Sequence, residues 1–136
     1  MRKILALAAL LGASGCALLP FGNPPLPTTP ATPVFFQPFS SALDPAALTT
    51  IATAAKVAAE EPNAKIIVAG AADNTGDTAG NEALSRARAK IVADQLVADG
   101  VDKTRIKAYG IGETGTLGDM SQYSRRVLIK IDNLSQ

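Results

Sequence analysis

Two residues of opposite charge, Asp73 and Arg88, are the first candidates for chemistry in this sequence. Both lie in the stretch GAADNTGDTAGNEALSRARAKIV, where Asp73 belongs to a loop of small polar residues and Arg88 belongs to a strongly helical run. The chain contains no histidine, which removes the commonest side chain for general acid–base catalysis and the commonest metal ligand. An acid and a base of this kind are suited to forming an ion pair or to holding a charged ligand.

Arg88 is the one charged residue on the face of its helix that should point toward the core. The helix is predicted to begin at Thr78 or Gly80 and to end at Gly100, which acts as its C-terminal stop. A guanidinium that is even partly buried without a partner costs several kcal/mol, so an anionic group should face Arg88. The best protein candidate is Asp73, at the end of the preceding strand. The predicted core-facing residues are Leu84, Arg88, Ile91, Val92 and Gln95.

Two interpretations of this pair stay open on the residues alone. In the first, Asp73 and Arg88 form a structural bridge that pins the loop to the helix, and such pairs are common and often contribute little energy. In the second, the two charges are presented separately to a zwitterion, so that Asp73 takes an ammonium and the planar fork of Arg88 takes a carboxylate. The loop also offers free amides ahead of a helix N-terminus, where anions are favoured, and Asn81 in the first turn could bond the loop or a ligand.

Composition and charge exclude several other functions. The chain has 13 basic and 12 acidic residues, for a formal net charge of +1, and no run of Lys or Arg that could follow a phosphate backbone. A single cysteine excludes a disulfide within the chain and a cysteine-cluster zinc site. Ser85, Asp73 and Glu113 are available for catalysis, but nothing supplies a base for a serine nucleophile, and no carboxylate pair is evident. We therefore expect no nucleic-acid binding, no metal, no cofactor and no enzymatic activity.

The N-terminal segment MRKILALAALLGASGC has the features of an export signal: two positive charges, an apolar run at residues 4–11 and then small residues. This order predicts a secretory signal peptide over residues 1–15, and the apolar run is about half of the roughly 20 residues that span a bilayer. Cys16 is either an incidental thiol in a discarded leader or a lipid-bearing residue. Its context, ASGC, resembles the lipobox of bacterial lipoproteins, which implies lipidation of Cys16, and the following Ala17 implies delivery to the outer membrane.

A proline-rich tether is predicted over residues 16–33. Its six prolines fix φ and remove backbone donors, so neither a helix nor an interior strand is expected. At about 3.1 Å per residue, an extended tether of this kind reaches roughly 50 Å. It would join a lipid anchor to a folded domain at residues 34–136.

The domain itself is predicted to be α+β, in the order β-α-β-α-β-β. Its first helix should begin with Asp44 as the cap and Pro45 at the first helical position, and it should end before Pro62. Helices between strands require crossover connections, so we expect two main helices on one face of a mixed four-stranded sheet. The strands are predicted from apolar runs and period-two alternation at residues 34–39, 65–71, 105–112 and 125–131.

Residues from about 34 to 131 resemble the OmpA-like domain, a non-covalent peptidoglycan-binding module of bacterial envelopes. The segments VFFQPFSSAL, GAADNTG, NEALSRARA, GVDKTRIKAYGIGE and SRRVLIKI carry the resemblance and follow in the order of the family. The resemblance implies that Asp73 and Arg88 clamp the diaminopimelate residue of the peptidoglycan stem peptide. The predicted peptidoglycan-binding residues are Asp73, Arg88, Asn81, Thr75 and Arg125, the last being the first of the double arginine that opens the final strand.

The resemblance implies a lipid-anchored protein that ties the periplasmic face of the outer membrane to the cell wall. The alternative is an adaptor subunit of an envelope machine, such as a secretion or efflux assembly, that docks mainly on protein. Ala71 and Ala72 stand where the family usually has His and Thr, which keeps this alternative open, and Ser124 stands where it usually has Asn. The sequence indicates no particular protein partner and no oligomeric state.

Overall fold

The computed structural model describes residues 30–114 and 121–133. The predicted signal peptide, Cys16 and most of the proline-rich tether lie outside the described residues. Across these two ranges, no helix has the length and apolar character needed to cross a membrane. The elements, in chain order, are β1 (Thr32–Phe35), α1 (Pro45–Glu60), β2 (Lys65–Ala72), α2 (Thr78–Ala98), a 3₁₀ turn (Lys103–Arg105), β3 (Ile106–Glu113), α3 (Ser121–Ser124) and β4 (Arg126–Asp132).

The four strands form one mixed sheet in the order β1-β4-β2-β3. β4 runs antiparallel to β1 and β2, whereas β3 runs parallel to β2 and forms an edge of the sheet. Buried aliphatic side chains from α1, α2 and the sheet make one continuous core between the helical layer and the strands. The predicted α+β fold is confirmed, and β2, β3 and β4 agree with the predicted strands to within one residue at each end.

α1 begins and ends where the local sequence signals predict. The side chain of Asp44 accepts a hydrogen bond of 2.7 Å from the amide of Ala47, and Pro45 occupies a first-turn position where no backbone donor is needed. The helix ends at Glu60, two residues before Pro62. Its buried face is mostly alanine, so the helix can pack close to its neighbours. The buried residues are Ala47, Ile51, Ala54, Ala55 and Ala58.

α2 approaches β2 very closely at Ser85, and this contact determines which face of the helix is buried. A Cβ atom on Gly70 would lie 2.1 Å from the carbonyl oxygen of Ser85, so only a glycine permits the approach. The face that meets the sheet therefore includes Ser85. The helix ends at Ala98, and Gly100 adopts a φ of +102°, which confirms its predicted role as the C-terminal stop.

The predicted core-facing stripe of α2 was only partly correct. Arg88 and Val92 are fully buried, as predicted, but Ile91 is 39% exposed and Leu84 and Gln95 are only partly buried. The close packing at Ser85 turns the helix so that a neighbouring stripe faces the sheet. The buried residues of α2 are Asn81, Ser85, Arg88, Ala89, Val92 and Leu96.

β1 is shorter than the predicted strand at residues 34–39 and begins earlier, at Thr32, inside the segment predicted to be the tether. It pairs with β4 only over Thr32–Phe35. Pro38 has no backbone donor, and Phe39 adopts a φ of +54°, a left-handed conformation that bulky residues rarely occupy. Residues 37–40 therefore leave the sheet as a loop, and this loop contributes to the site described next.

Candidate functional site

Asp73 follows the last residue of β2 and pairs with Arg125. One carboxylate oxygen, Oδ1, accepts hydrogen bonds from the hydroxyl and, at 3.3 Å, from the amide of Thr75. The other, Oδ2, accepts a hydrogen bond of 3.1 Å from Nη1 of Arg125, which makes an ion pair. Arg125 immediately precedes β4, the neighbour of β2, so strand pairing brings the two side chains together. The side chains of Arg125 and Asp73 are 15% and 12% exposed, so solvent still reaches the pair.

Burial and hydrogen bonding act in opposite directions on the pKa of Asp73. Burial raises this pKa by disfavouring the charged carboxylate, whereas the hydrogen bonds from Thr75 and Arg125 stabilise the charge. The hydrogen bonds prevail, and the pKa of Asp73 lies below its ordinary value of 3.8. At neutral pH the site therefore holds a fixed negative charge at the carboxyl end of β2.

Arg88 is fully buried, with 0% of its surface exposed, and is held by main-chain carbonyl groups. Its Nε donates to the carbonyl oxygen of Ser40 at 2.8 Å, and its Nη1 donates to that of Ala71 at 3.0 Å. Its Nη2 donates to the carbonyl oxygen of Gln37 at 3.1 Å, and Cζ lies 5.2 Å from the ring centroid of Phe36. Three carbonyl dipoles and an aromatic face thus replace the water that the cation loses on burial.

Asp73 and Arg88 interact through space rather than as a bonded pair. Within the part of the chain that the structure describes, no hydrogen bond or ion pair joins them, and the carboxylate of Asp73 bonds Arg125 instead. Burial lowers the pKa of Arg88, and the negative charge of Asp73 opposes that change. The guanidinium stays protonated because its pKa in water is far above neutrality. The partner expected for Arg88 is therefore supplied mainly by carbonyl dipoles.

Asn81 links three segments of the site through one amide group. Its Nδ2 donates to the carbonyl oxygen of Thr75 at 3.1 Å and to Oε1 of Glu113 at 3.0 Å. Asn81 lies in the first turn of α2 and is 5% exposed, while Glu113 is the last residue of β3. Because β2 and β3 are parallel and Ala72 lies opposite Glu113, the carboxyl ends of both strands meet here. The amide of Asn81 thereby holds the loop that carries Asp73.

Glu113 is a site residue that sequence reasoning missed, since it was considered only as an available carboxylate for catalysis. The sequence did contain a signal for Glu113. Two parallel strands end side by side, so a polar residue at the end of one strand lies beside the loop that follows the other. The carbonyl groups of Gln37 and Ser40, which hold Arg88, had no such signal because every residue carries a main-chain carbonyl.

Arg125 also lines a groove with a volume of about 390 Å³, so the groove lies next to the ion pair. Phe35 and Tyr123 on its wall meet edge to face, with ring centroids 6.3 Å apart, and they are 46% and 45% exposed. The groove offers the cation of Arg125, the carboxylate of Asp44 and exposed aromatic rings, and Asp73 lies beside it as the ion-pair partner of Arg125. Charges of both signs suit an amino acid that carries both charges. Its lining residues are Phe35, Phe36, Gln37, Asp44, Tyr123 and Arg125.

Comparison with known proteins defines the family. The model of the OmpA family matches residues 35–128, and the chain therefore belongs to the OmpA family. Probable lipoprotein YiaD of Escherichia coli (strain K12) is 35% identical over 106 residues, which cover 74% of this chain and 48% of YiaD. Peptidoglycan-binding protein ArfA of Mycobacterium tuberculosis is 45% identical over 56 residues, which cover 41% of this chain and 17% of ArfA. The chain thus spans about half of YiaD and a smaller share of ArfA.

The crystal structure of the peptidoglycan-associated lipoprotein from Burkholderia pseudomallei has the same fold. It superposes with a TM-score of 0.66 at 24% sequence identity, and the alignment covers 72% of this chain and 87% of that one. The order of strands and helices described above is therefore the architecture of a known class of domains.

Arg88→Lys should destabilise the domain by about 2 kcal/mol or more, because an ammonium keeps the charge but cannot span three carbonyls that a planar guanidinium reaches together. The free energy of unfolding from urea titration measures this. Arg86→Lys is the matched control on the same helix, since Arg86 is 63% exposed. It should change stability by less than about 0.5 kcal/mol. Equal effects of the two substitutions would contradict the structural role of Arg88.

Asp73→Asn should reduce the dependence of stability on pH in acid. Because the pKa of folded Asp73 lies below 3.8, ionised Asp73 contributes stability that is present above this value. The contribution is lost as the pH falls through the lowered pKa, so the wild type and Asp73→Asn should differ most near neutrality and converge in strong acid. Urea unfolding at a series of pH values measures this. Asp94→Asn removes an exposed carboxylate from α2, and the same convergence for that control would count against the interpretation.

Proposed function

We propose that this chain binds peptidoglycan non-covalently through the stem peptide and acts in the cell envelope. Membership of the OmpA family and the relatives named peptidoglycan-binding protein ArfA and probable lipoprotein YiaD support the proposal. The structural observation that carries it is the ion pair of Asp73 and Arg125, which is partly exposed beside an open groove.

This ion pair is suited to a zwitterionic guest. The side-chain end of diaminopimelate carries an ammonium and a carboxylate. Asp73 would accept hydrogen bonds from the ammonium, while the planar fork of Arg125 would bind the carboxylate. On binding, Asp73 exchanges the guanidinium of Arg125 for the ammonium of the ligand, and Arg125 exchanges the carboxylate of Asp73 for that of the ligand. No charge is left unpaired on binding, which avoids the main cost of desolvating charged groups.

Arg88 stays a predicted peptidoglycan-binding residue, but its burial means that it can contact a ligand only after a change in the structure. Because none of its surface is exposed, direct contact with a stem peptide requires the 37–40 loop to move away. With the loop in place, Arg88 acts on the site by joining that loop to Ala71 at the end of β2. Thr75 and Asn81 also stay predicted binding residues, and their present contacts hold the loop that presents Asp73.

Attachment to the outer membrane is the second part of the proposal and concerns residues outside the structure. Lipidation of Cys16 would place the domain at the periplasmic face, within the roughly 50 Å reach of the tether. Two charge-assisted contacts of about 1.5–3 kcal/mol each, less the cost of association, suggest dissociation constants of order mM to μM. Many anchored copies facing a polymer of repeated stem peptides would still hold firmly through high effective concentration.

Titration of the purified chain with two stem peptides tests the site. The peptide with diaminopimelate should bind about tenfold or more tightly than its lysine counterpart, which lacks one carboxylate and therefore one charge-assisted contact. Arg125→Gln should remove this preference, because the carboxylate loses its partner. Asp73→Asn should weaken binding of both peptides, since both carry the ammonium. Isothermal titration calorimetry measures the affinities of the wild type and the two variants for both peptides, six in all.

Lys56→Gln, an exposed substitution on α1, is the control and should bind both peptides as the wild type does. Equal affinity of the wild type for the two peptides would contradict recognition of the carboxylate. Unchanged binding by Asp73→Asn would contradict the proposed site as a whole. If a folded Arg88→Lys variant alone lost the preference for diaminopimelate, the carboxylate would be assigned to Arg88 instead.

Cys16→Ser should abolish lipid attachment, because the serine hydroxyl does not replace the thiol that receives the diacylglycerol. In a Gram-negative host fed labelled palmitate, the wild type should incorporate label and fractionate with the outer membrane. The Cys16→Ser variant should do neither, whereas Asp73→Asn should be labelled as the wild type is. Label on Cys16→Ser would rule out this residue as the anchor.

A further inference from the structure

A second groove, with a volume of about 680 Å³, lies between α2 and β3. It shares no lining residue with the groove beside Arg125. One wall is a stripe of α2 that includes Ala93 and Val97, and the floor is the edge strand β3, with Ile106 and Ala108. The peptidoglycan site proposed above does not use this groove.

β3 has a free edge alongside the groove. It is the last strand in the sheet order, and within residues 30–114 and 121–133 no strand pairs with its outer side. The pairing of β3 with β2 is regular over residues 106–110, and beyond it the amide of Gly112 donates to the hydroxyl of Ser85. Unpaired backbone donors and acceptors along the regular part of such an edge can accept another extended chain. Edge strands are commonly protected against pairing with copies of themselves by lysine, and Lys107 is exposed on β3. The same charge that repels a second copy of this edge would attract an acidic strand.

The helical layer does not cover β3 completely. Ala108 lies opposite Val68 in the parallel register, so both residues face the helices. Val68 is fully buried there, whereas Ala108 is exposed. Val97 on the wall of α2 is 40% exposed. The uncovered strip of β3 therefore presents apolar surface that another chain could bury.

The rim of the groove is positively charged. Arg86, Lys90 and Lys103 line it against a single acid, Asp94. Asp94 pairs with Lys90 at 2.5 Å, and Arg86 lies 3.8 Å from Glu82, but no ion pair in the described ranges involves Lys103. The whole chain is nearly balanced, with 13 basic and 12 acidic residues, so this excess of positive charge is local.

We propose that the groove and the free edge of β3 form a docking site for an extended, acidic segment of another protein. The segment would add to the sheet as a strand beside β3. Its backbone would bond the free edge, apolar side chains would cover Ala108 and Val97, and carboxylates would reach Lys103 and Lys107. An anionic glycan or lipid headgroup could use the charges but not the strand edge and the apolar floor together.

The test is a titration of the full chain, observed by amide chemical shifts, with a capped peptide of alternating Glu and Val as long as β3, eight residues. The acidic peptide should shift amides of β3 and of the α2 wall. A Lys–Val peptide of the same length should not bind. An acidic peptide with two central valines replaced by proline should bind about tenfold more weakly, because proline removes the backbone donors that pair with the edge.

Charge reversal locates the binding. Lys103→Glu combined with Lys107→Glu should weaken binding of the Glu–Val peptide about tenfold or more, with a smaller salt dependence. Lys56→Glu, an exposed lysine on α1, makes the matched control and should leave binding unchanged. Lys103 and Lys107 are both exposed, and circular dichroism should show that the double variant is folded.

Three results would overturn the proposal. The first is the absence of binding by the acidic peptide, and the second is equal loss of affinity for the groove variants and for Lys56→Glu. The third is equal binding of the proline-containing peptide, which would leave only a charge interaction without strand addition. The absence of peptide binding could be accompanied by binding to phosphatidylglycerol vesicles. If the double variant then lost vesicle binding, the groove would be assigned to a lipid surface and the protein partner would be refuted.

Discussion

The geometry of the site depends on the buried guanidinium of Arg88. A cation with no exposed surface is tolerated only where polar groups surround it, and three main-chain carbonyl oxygens do so here. Two of these carbonyls belong to the 37–40 loop and one belongs to the end of β2, while Arg88 itself is carried by α2. One side chain therefore fixes the relative positions of a loop, a strand and a helix. The other contacts of the site add the end of β3 through Glu113 and the start of β4 through Arg125.

Because carbonyl groups satisfy Arg88, the carboxylate of Asp73 is available to Arg125. The two arginines thus have different roles: Arg88 holds segments together inside the domain, and Arg125 pairs with Asp73 near its surface. A buried cation held by the main chain is locked, whereas a partly exposed ion pair can exchange partners with a charged ligand. The negative charge of Asp73 also offsets part of the cost of burying Arg88, whereas the positive charge of Arg125 adds to that cost.

The two proposed recognition sites use different features of one sheet. The site for a stem peptide lies where the carboxyl ends of β2 and β3 meet, and it depends on the charges of Asp73, which follows β2, and of Arg125, which precedes β4. The groove for an acidic segment runs along β3 and depends on a free backbone edge and on the outward stripe of α2. Since they share no lining residues, a domain held to the cell wall by the first could contact a protein through the second.

The amino-acid sequence by itself determined where the two main helices and three of the four strands form. Caps, prolines and the left-handed Gly100 act on their immediate neighbours, so these boundaries can be read locally. It also identified Arg88, because a charge on an apolar stripe is a local pattern, and Asp73, because an acid directly after a predicted inner strand is one too. Only the tertiary structure decided that Gly70 sets the rotation of α2, that carbonyls hold Arg88 and that Asp73 pairs with Arg125. The partners in each of these contacts are far apart in sequence, and a hydrogen bond or close contact depends on distances that exist only once the segments have packed together.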